Sequence, residues 1–357
     1  MITVTKTYMP SKKKYFKYVN DIYKSGRITN NGPLVRELEE RLREYLGVKY
    51  IVLTANGTLA LEVAYRVLEI KNFAITTPFS FVATTSSLVA NGIHPIFVDI
   101  NPNTLTIDVE KIEESITPHT TAIVPVHVFG NACEIEEIEK IAKKHNIKVI
   151  YDAAHAFSVK YKGRSIVNFG DISILSFHAT KLFHTIEGGA VILNDESLIE
   201  KTKDMINFGF RGQYNIKDLG VNAKMNEFEA AMGLCMLDEI DVILEKRMEV
   251  GKRYEKSLKD YLEIPEKNKN SSQNYSYFPV IFKSEAQLLK VVKKLNENNV
   301  FPRRYFYPSL DTLKYIEPKQ FMPISRNISR RILCLPIYPE LEKKEQLKII
   351  KIIKENL

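Results

Sequence analysis

Residues 148–193 read KVIYDAAHAFSVKYKGRSIVNFGDISILSFHATKLFHTIEGGAVIL, and the fold can be worked out from this stretch. Three apolar runs in it, rich in β-branched residues, are typical of strands: Lys148–Tyr151, Ile172–Ser176 and Ala190–Leu193. Similar runs come earlier, at Tyr50–Leu53, Ala74–Thr76, Pro95–Val98 and Ala122–Val126. Helical spacing separates several of them, at Leu59–Leu68, Phe81–Val89 and Ile135–His145. Continuously apolar strands that alternate with helices predict an α/β fold with a mostly parallel sheet covered on both faces.

The remainder of the chain predicts a second, smaller domain. Before residue 50 we expect an arm and a helix, with further helix at Glu37–Tyr45, and a long helix is predicted from about Asn226 through Arg247. Beyond about residue 250 lysine becomes more frequent, and the pattern is that of an α+β domain. Its predicted parts are a polar loop at Lys267–Gln273, a strand at Tyr275–Phe282 and helices at Glu285–Glu297 and Lys343–Glu355. We therefore divide the chain into residues 1–245, an N-terminal arm and large domain, and residues 246–357, a small C-terminal domain.

The composition excludes several classes of protein. With 45% hydrophobic and 26% charged residues, the chain is neither disordered nor collagen-like. No run of about 18 apolar residues predicts a transmembrane helix, and the start shows no secretory signal, so we expect a cytoplasmic protein. Cys133, Cys235 and Cys334 are odd in number and widely spaced, which fits reduced thiols and predicts no metal site.

The net charge of +8 does not identify a partner. Nucleic acid, a membrane surface and an anionic small molecule are all compatible with it. The basic residues are scattered along the chain, which favours a solvated, lysine-rich surface.

A turn after the first predicted sheet strand is suited to an anion. Residues 53–61 read LTANGTLAL, so a strand ends, a turn of small residues follows and a helix begins. Asn56 or Thr58 can cap this helix, whose free N–H groups would face outward and attract a phosphate. A capped turn without a ligand stays open as an alternative. The dinucleotide-binding and P-loop glycine patterns are both missing.

Two further motifs place ionisable groups after strands. Asp152 follows a buried strand directly and His155 comes three residues later, while Lys181 lies between two strands beside the Gly188-Gly189 pair. Taken singly, Asp152 could be a structural hydrogen-bond acceptor and Lys181 a solvated loop lysine. Together with the anion turn they supply what a pyridine–aldehyde cofactor needs: a phosphate site, an acid for the ring nitrogen and an amine that bonds to a carbonyl.

The order of these motifs resembles that of the DegT/DnrJ/StrS family of sugar aminotransferases. The resemblance runs from residues 25–33 (SGRITNNGP) to residues 303–308 (RRYFYP). The intervening motifs are NGTLA at 56–60, PFSFVAT at 78–84, DAAH at 152–155, GD at 170–171, SFHATK at 176–181, GG at 188–189 and GVNAKMN at 220–226. The resemblance implies pyridoxal 5'-phosphate as cofactor and the type I aminotransferase fold, with a mixed, mostly parallel seven-stranded sheet.

The resemblance also implies roles for individual residues. Lys181 would bond to the cofactor and shuttle the proton, and Asp152 would pair with the ring nitrogen. Phe81 would stack on the ring, and His155, where many members have Gln, would contact the ring hydroxyl. The phosphate would be held by Asn56, Gly57, Thr58 and Ser176, and by Asn222 reaching from the neighbouring subunit of a homodimer with shared active sites. Lys224 stands where arginine is commoner, and the predicted substrate residues are Thr29, His184, Arg304 and Tyr307.

The implied reaction moves an amino group from L-glutamate, leaving 2-oxoglutarate, to a nucleotide-linked keto sugar. The motifs look most like members that aminate dTDP-4-keto-6-deoxyglucose for surface glycans such as O-antigen. A 3-keto sugar, a UDP- or GDP-linked sugar and a small keto phosphate stay open. Lys181 argues against the dehydratase branch, which has histidine there. A regulator that keeps this fold is the alternative of another class, but the chain shows no helix-turn-helix segment and no basic stripe, so neither nucleic acid nor membrane is an expected partner.

A few other residues are given a structural role or are left without a single assignment. His127 and His178 are predicted to be hydrogen-bonded groups, either in the core or supporting the site from behind its contact residues, and Glu227 and Glu229 a solvated helix start. Residues 305–307 could belong to the core or to a wall of the sugar site.

Overall fold

A seven-stranded sheet lies at the centre of the protein, whose computed structural model describes residues 1–357. In sheet order the strands are β2 (Tyr50–Thr54), β10 (Gly189–Leu193), β9 (Ile172–Ser176), β6 (Lys148–Asp152), β5 (Thr120–Val124), β3 (Phe73–Thr76) and β4 (His94–Phe97). Strand β10 is antiparallel to both of its neighbours, and the other pairs are parallel. The mixed, mostly parallel sheet is confirmed, and the bounds of each strand predicted for it lie within two residues of those observed.

Helices cover both faces of this sheet. They are α1 (Lys12–Ser25), α2 (Pro33–Leu46), α3 (Gly57–Val67), α4 (Val82–Ala90), α5 (Ile135–His145), α6 (Leu198–Ile206), α7 (Glu227–Leu237) and α8 (Ile240–Leu258). Successive residues of a strand point to opposite faces. Thus Leu53 packs in one cluster of 43 buried residues with α2, α5 and α7, while Val52 packs in another of 20 with α3 and α6.

The C-terminal part has its own core. Its elements are β11 (Phe278–Ile281), α9 (Glu285–Glu297), β12 (Val300–Phe301), α10 (Pro323–Arg331), β13 (Ile332–Leu335) and α11 (Lys343–Asn356). The short β1 (Ile2–Thr3) pairs in parallel with β12, so the start of the chain joins this part, and β7 (Lys160–Tyr161) pairs with β8 (Arg164–Ser165). Helix α8 contributes Ile243 to the large core and Tyr254 to the C-terminal one. The predicted boundary at residue 245 falls inside α8 and stays a prediction.

The single helix predicted over Asn226–Arg247 is wrong. In the structure α7 ends at Leu237 and α8 begins at Ile240. The side chains of the two residues between them are hydrogen-bonded to residues far away in the sequence. Asp238 accepts a hydrogen bond from Arg41 of α2 at 2.7 Å, and Glu239 accepts one from the Tyr8 hydroxyl at 2.6 Å. These contacts fix a bend that helical periodicity does not reveal.

The solvated helix start predicted at Glu227 is also wrong. Its side chain is buried and accepts hydrogen bonds from the N–H groups of Leu34 and Val35, both at 2.9 Å. These N–H groups belong to the first turn of α2, where the helix itself offers no acceptor. Glu229, which was given the same interpretation, is partly buried and closes a capping box with Asn226 at the start of α7.

No helix of the structure combines the length and apolar character that crossing a membrane requires.

Candidate active site

A cavity of about 260 Å³ opens at the carboxyl ends of the parallel strands. This is the edge of an open α/β sheet at which ligands bind. Eight of the nine predicted cofactor residues line it: Asn56, Gly57, Thr58, Phe81, Asp152, His155, Ser176 and Lys181. Residues more than 120 positions apart in the sequence are thus brought together as expected.

The turn between β2 and α3 forms one side of the cavity. Asn56 caps α3, its side-chain oxygen accepting from the N–H of Leu59 at 2.8 Å. The N–H groups of Gly57 and Thr58 have no acceptor within the helix, and the positive end of its dipole lies here. A Cβ on Gly57 would come within 2.8 Å of the Ser176 Cβ, so only glycine lets the turn approach the end of β9 this closely.

Asp152 lies buried on the floor of the cavity. One carboxyl oxygen accepts from the Thr84 hydroxyl at 2.7 Å and the other from the N–H of Ala154 at 3.1 Å. Burial raises the pKa of Asp152, while these two hydrogen bonds and the charge of Lys181 act in the opposite direction. The Thr84 hydroxyl also lies 2.7 Å from that of Ser80, so a short chain of hydroxyl groups leads to the carboxyl.

Lys181 lies on the connection from β9 to β10. The N–H of Phe177 donates to the Gly188 carbonyl at 2.8 Å, which closes this connection at its base. Burial lowers the pKa of Lys181 to about 8, and the nearby charge of Asp152 limits the fall. Its amine lies 5.9 Å from the ring centroid of Tyr277 and forms no ion pair. Because of this lowered pKa, the amine is uncharged in a larger share of molecules near neutral pH than an exposed lysine would be, and the uncharged form can attack a carbonyl.

His155 is held as a neutral hydrogen-bond donor. Its Nδ1 accepts from the N–H of Phe129 at 3.3 Å, so the proton of the neutral ring is carried by Nε2. The ring stacks nearly parallel to that of Phe306, at 5.7 Å between centroids, and Tyr277 meets it edge-on. Burial, followed by the charge of Lys181, lowers the pKa of His155 well below its usual range.

The comparisons with known proteins agree with this geometry. A model of the DegT/DnrJ/EryC1/StrS aminotransferase family matches residues 10–354. The chain belongs to this family. It is 44% identical to dTDP-4-amino-4,6-dideoxy-D-glucose transaminase of Shigella dysenteriae and 38% identical to the Escherichia coli protein of the same name, each time over 99% of this chain and 98% of the relative. The crystal structure of DesI with its TDP-sugar product superimposes with a TM-score of 0.94 at 29% identity, covering 99% of this chain and 92% of that one.

This aminotransferase is a pyridoxal phosphate enzyme, and the cavity fits that cofactor. The glycine turn at the start of α3 leaves space and free N–H groups for a phosphate, and a carboxyl group, an amine of lowered pKa and a neutral imidazole donor face the same cavity. When bound, the cofactor supplies an aldehyde for the incoming amino group and a ring that accepts electrons from the carbon losing its proton.

The protein's own residues orient this chemistry and move the proton. With the cofactor bound, Asp152 would keep a ring nitrogen protonated, and Phe81, half exposed at the cavity, would offer an aromatic face for stacking. The Lys181 amine can take a proton from a substrate carbon and return it as a general acid–base. Apolar and aromatic walls, among them Val126 and Phe306, exclude water around it.

Several predicted residues lie outside the cavity of this aminotransferase. Asn222 is exposed and accepts from Lys224 at 2.8 Å, and Thr29 is exposed on the segment before α2. His184 is buried, with Nε2 at 2.7 Å from the Tyr8 carbonyl. Arg304 and Tyr307 stack on each other at 3.7 Å, also outside the cavity. Their assignment to substrate or to a neighbouring subunit stays a prediction.

Other cavity residues were not assigned from the sequence. Thr84 lies within the quoted motif 78–84, where its spacing of three from Phe81 on α4 could have placed it at the site. Tyr277 and Arg303 come from the C-terminal part; Arg303 begins the quoted motif 303–308 but was given no role, and no local pattern marks Tyr277. Of the aromatic run at 305–307, Tyr305 and Phe306 line the cavity.

The two histidines predicted to be core or supporting groups have different surroundings. His127 is buried, stacks on Tyr151 at 4.6 Å and accepts from the N–H of Cys133, although its Nε2 has no partner. His178 is exposed and lines the cavity, so of its two predicted positions the core is wrong, because the connection that carries it runs along the cavity wall.

Proposed function

We propose that this aminotransferase transfers the amino group of L-glutamate to dTDP-4-keto-6-deoxyglucose, giving dTDP-4-amino-4,6-dideoxyglucose. The observation that carries the proposal is the cavity that holds Lys181 and Asp152, in a chain 44% identical over nearly its whole length to a relative named for this sugar nucleotide. The product would serve surface glycan synthesis, O-antigen included, in the cytoplasm. The opposite direction, with 2-oxoglutarate as amino acceptor, uses the same groups.

The positions of the Lys181 amine and the Asp152 carboxyl group support a proton transfer by Lys181. Lys181 enters from the β9–β10 connection, Asp152 lies at the end of β6, and Thr84 of α4 donates a hydrogen bond to its carboxyl group. The amine loses its positive charge more readily than an exposed lysine, because burial disfavours the ammonium ion. It can therefore act as base toward the donor carbon and as acid toward the sugar carbon.

The proposal includes a homodimer in which the neighbouring chain completes each cavity. Asn222, which the family pattern relates to the phosphate, is hydrogen-bonded to Lys224, and both lie away from the cavity of their own chain. An exposed apolar stretch precedes them, with Tyr214 88% and Leu219 83% exposed. A second chain packed here would cover this stretch and could receive both polar side chains.

The test is transamination with a defined panel of substrates. The purified protein, supplied with pyridoxal phosphate and L-glutamate, is incubated with dTDP-linked 4-keto and 3-keto deoxyhexoses, UDP- and GDP-linked keto sugars and a keto phosphate. Mass spectrometry is expected to show amination of the dTDP-4-keto sugar in preference to the others. Lys181→Ala should abolish the reaction, whereas Lys144→Ala, at an exposed pair with Glu113, should leave it unchanged. Preference for another member of the panel would contradict the substrate, and amination by Lys181→Ala would contradict the mechanism.

A further inference from the structure

Arg303 is the one arginine that lines the cavity, and it has no carboxylate partner. Its side chain is exposed to solvent, and its guanidinium carbon lies 4.6 Å from the ring centroid of Tyr305. The adjacent Arg304 also lies over a tyrosine ring, but it donates to Glu285 at 2.6 Å and lies outside the cavity. Of these two neighbouring cations, only Arg303 is free to meet a ligand.

The backbone explains why the neighbours differ. Arg303 pairs with Cys334 of β13 through two hydrogen bonds, of 3.2 and 2.8 Å. In an extended segment alternate side chains point to opposite sides. Arg303 and Tyr305 therefore face the cavity together, and Arg304 between them faces away. The guanidinium thus stands on a backbone that is anchored to the C-terminal part.

The acidic groups of the cavity are engaged elsewhere. Both oxygens of Asp152 accept hydrogen bonds from Thr84 and Ala154, and Glu187 faces His178 at 3.5 Å. Lys181 adds a second cationic group to the same cavity. Asp152 offsets the charge of Lys181, whereas no carboxylate of the cavity is hydrogen-bonded to the Arg303 guanidinium, which is therefore available to an anionic ligand.

We propose that Arg303 binds an oxyanion of a substrate, either the carboxylate of the amino donor or the diphosphate of the sugar nucleotide. Both anions match the planar fork of a guanidinium, which can donate two parallel hydrogen bonds to them. Stacking on Tyr305 holds the guanidinium plane while leaving its donor edge open. The inference rests on the proposed function, which supplies both anions.

Equilibrium binding tests the inference without turnover. Calorimetry on the holoenzyme measures the affinity for dTDP, which carries the diphosphate, and for glutarate, which carries carboxylates only. Arg303→Gln should weaken at least one of them about tenfold to hundredfold, as expected when hydrogen bonds to a charged group are lost. Arg303→Lys should retain part of the affinity, because it keeps the charge and loses the fork. Loss of dTDP binding assigns Arg303 to the diphosphate, and loss of glutarate binding assigns it to the donor carboxylate.

Arg164→Gln provides a matched control. Arg164 also lies over an aromatic ring, 5.0 Å from the centroid of Phe169, but outside the cavity, and its loss should change neither affinity. Equal affinities of Arg303→Gln and the wild type, or no binding of either probe to the wild type, would overturn the inference. The two proposals can fail separately. If Arg303→Gln loses affinity for a probe but the wild-type protein aminates no sugar of the panel, the inference is upheld and the proposed function is rejected.

Discussion

Lys181 and Asp152 show how position changes the chemistry of two common side chains. Each is unremarkable by type, and each acquires its role from burial at the carboxyl edge of the sheet, where burial lowers the pKa of the amine and raises that of the carboxyl. The attraction between the two opposite charges acts against both pKa shifts and makes each of them smaller. The strand ends and the Gly188-Gly189 pair made both residues predictable from the sequence. Thr84, which donates to the carboxyl, was not predicted, because its contact with Asp152 spans 68 residues.

The pKa of Lys181 predicts how the cofactor-free protein responds to pH. With a pKa of about 8, the amine is half uncharged near pH 8, so covalent uptake of pyridoxal phosphate should accelerate as pH rises and level off above about pH 9. Stopped-flow absorbance measures this rate. Asp152→Asn removes a charge that raises the pKa of Lys181, so its half-maximal rate should move to lower pH. A rate that continues to rise steeply beyond pH 9 would indicate an ordinary lysine pKa and contradict the expectation.

At the scale of elements, α2 depends on a carboxyl group supplied from α7. Glu227 accepts from Leu34 and Val35, so Glu227→Gln replaces one accepting oxygen with a donating group and leaves an N–H unsatisfied. We expect a loss of about 1–3 kcal/mol in the free energy of unfolding, measured by urea denaturation. Glu229→Gln is the matched control two residues away, since glutamine also serves in a capping box, and should change stability by less than about 0.5 kcal/mol. Equal losses in both variants would show that the α2 contact is unimportant.

The elements that the sequence predicted are those whose signals are local. Apolar runs and capping residues located the strands of the sheet and the bounds of α5 and α9, because these follow from neighbours within a few positions. The break between α7 and α8 was missed, since Tyr8 and Arg41, which fix it, lie about 200 residues earlier in the chain. Tyr277 and Arg303 were missed as cavity residues for a similar reason: they reach the site only when the C-terminal part packs against the sheet.

At the scale of the whole molecule, the shared cavity of the proposed dimer predicts complementation. Lys181→Ala and Asn222→Ala each damage one side of a site, so homodimers of either variant should have reduced activity. Mixed after dissociation and reassembly, they form heterodimers in which one site contains both changes and the other contains neither. Transaminase activity should then rise toward about a quarter of the wild-type value for random pairing, or half if all chains pair with the other variant. Activity no higher than the average of the separate variants would place Asn222 outside the site of a partner.

The pairing of β1 with β12 has a consequence for the order in which the chain folds. Every strand of the central sheet is complete once Leu193 has been made, whereas the partner of Ile2 is Val300, roughly a hundred residues later. At a synthesis rate of about 5–20 residues per second, the first strand waits for about 5–20 seconds beside a sheet that can already assemble. Ile2 and Thr3, among the first residues to be made, are therefore among the last to form their strand pairing.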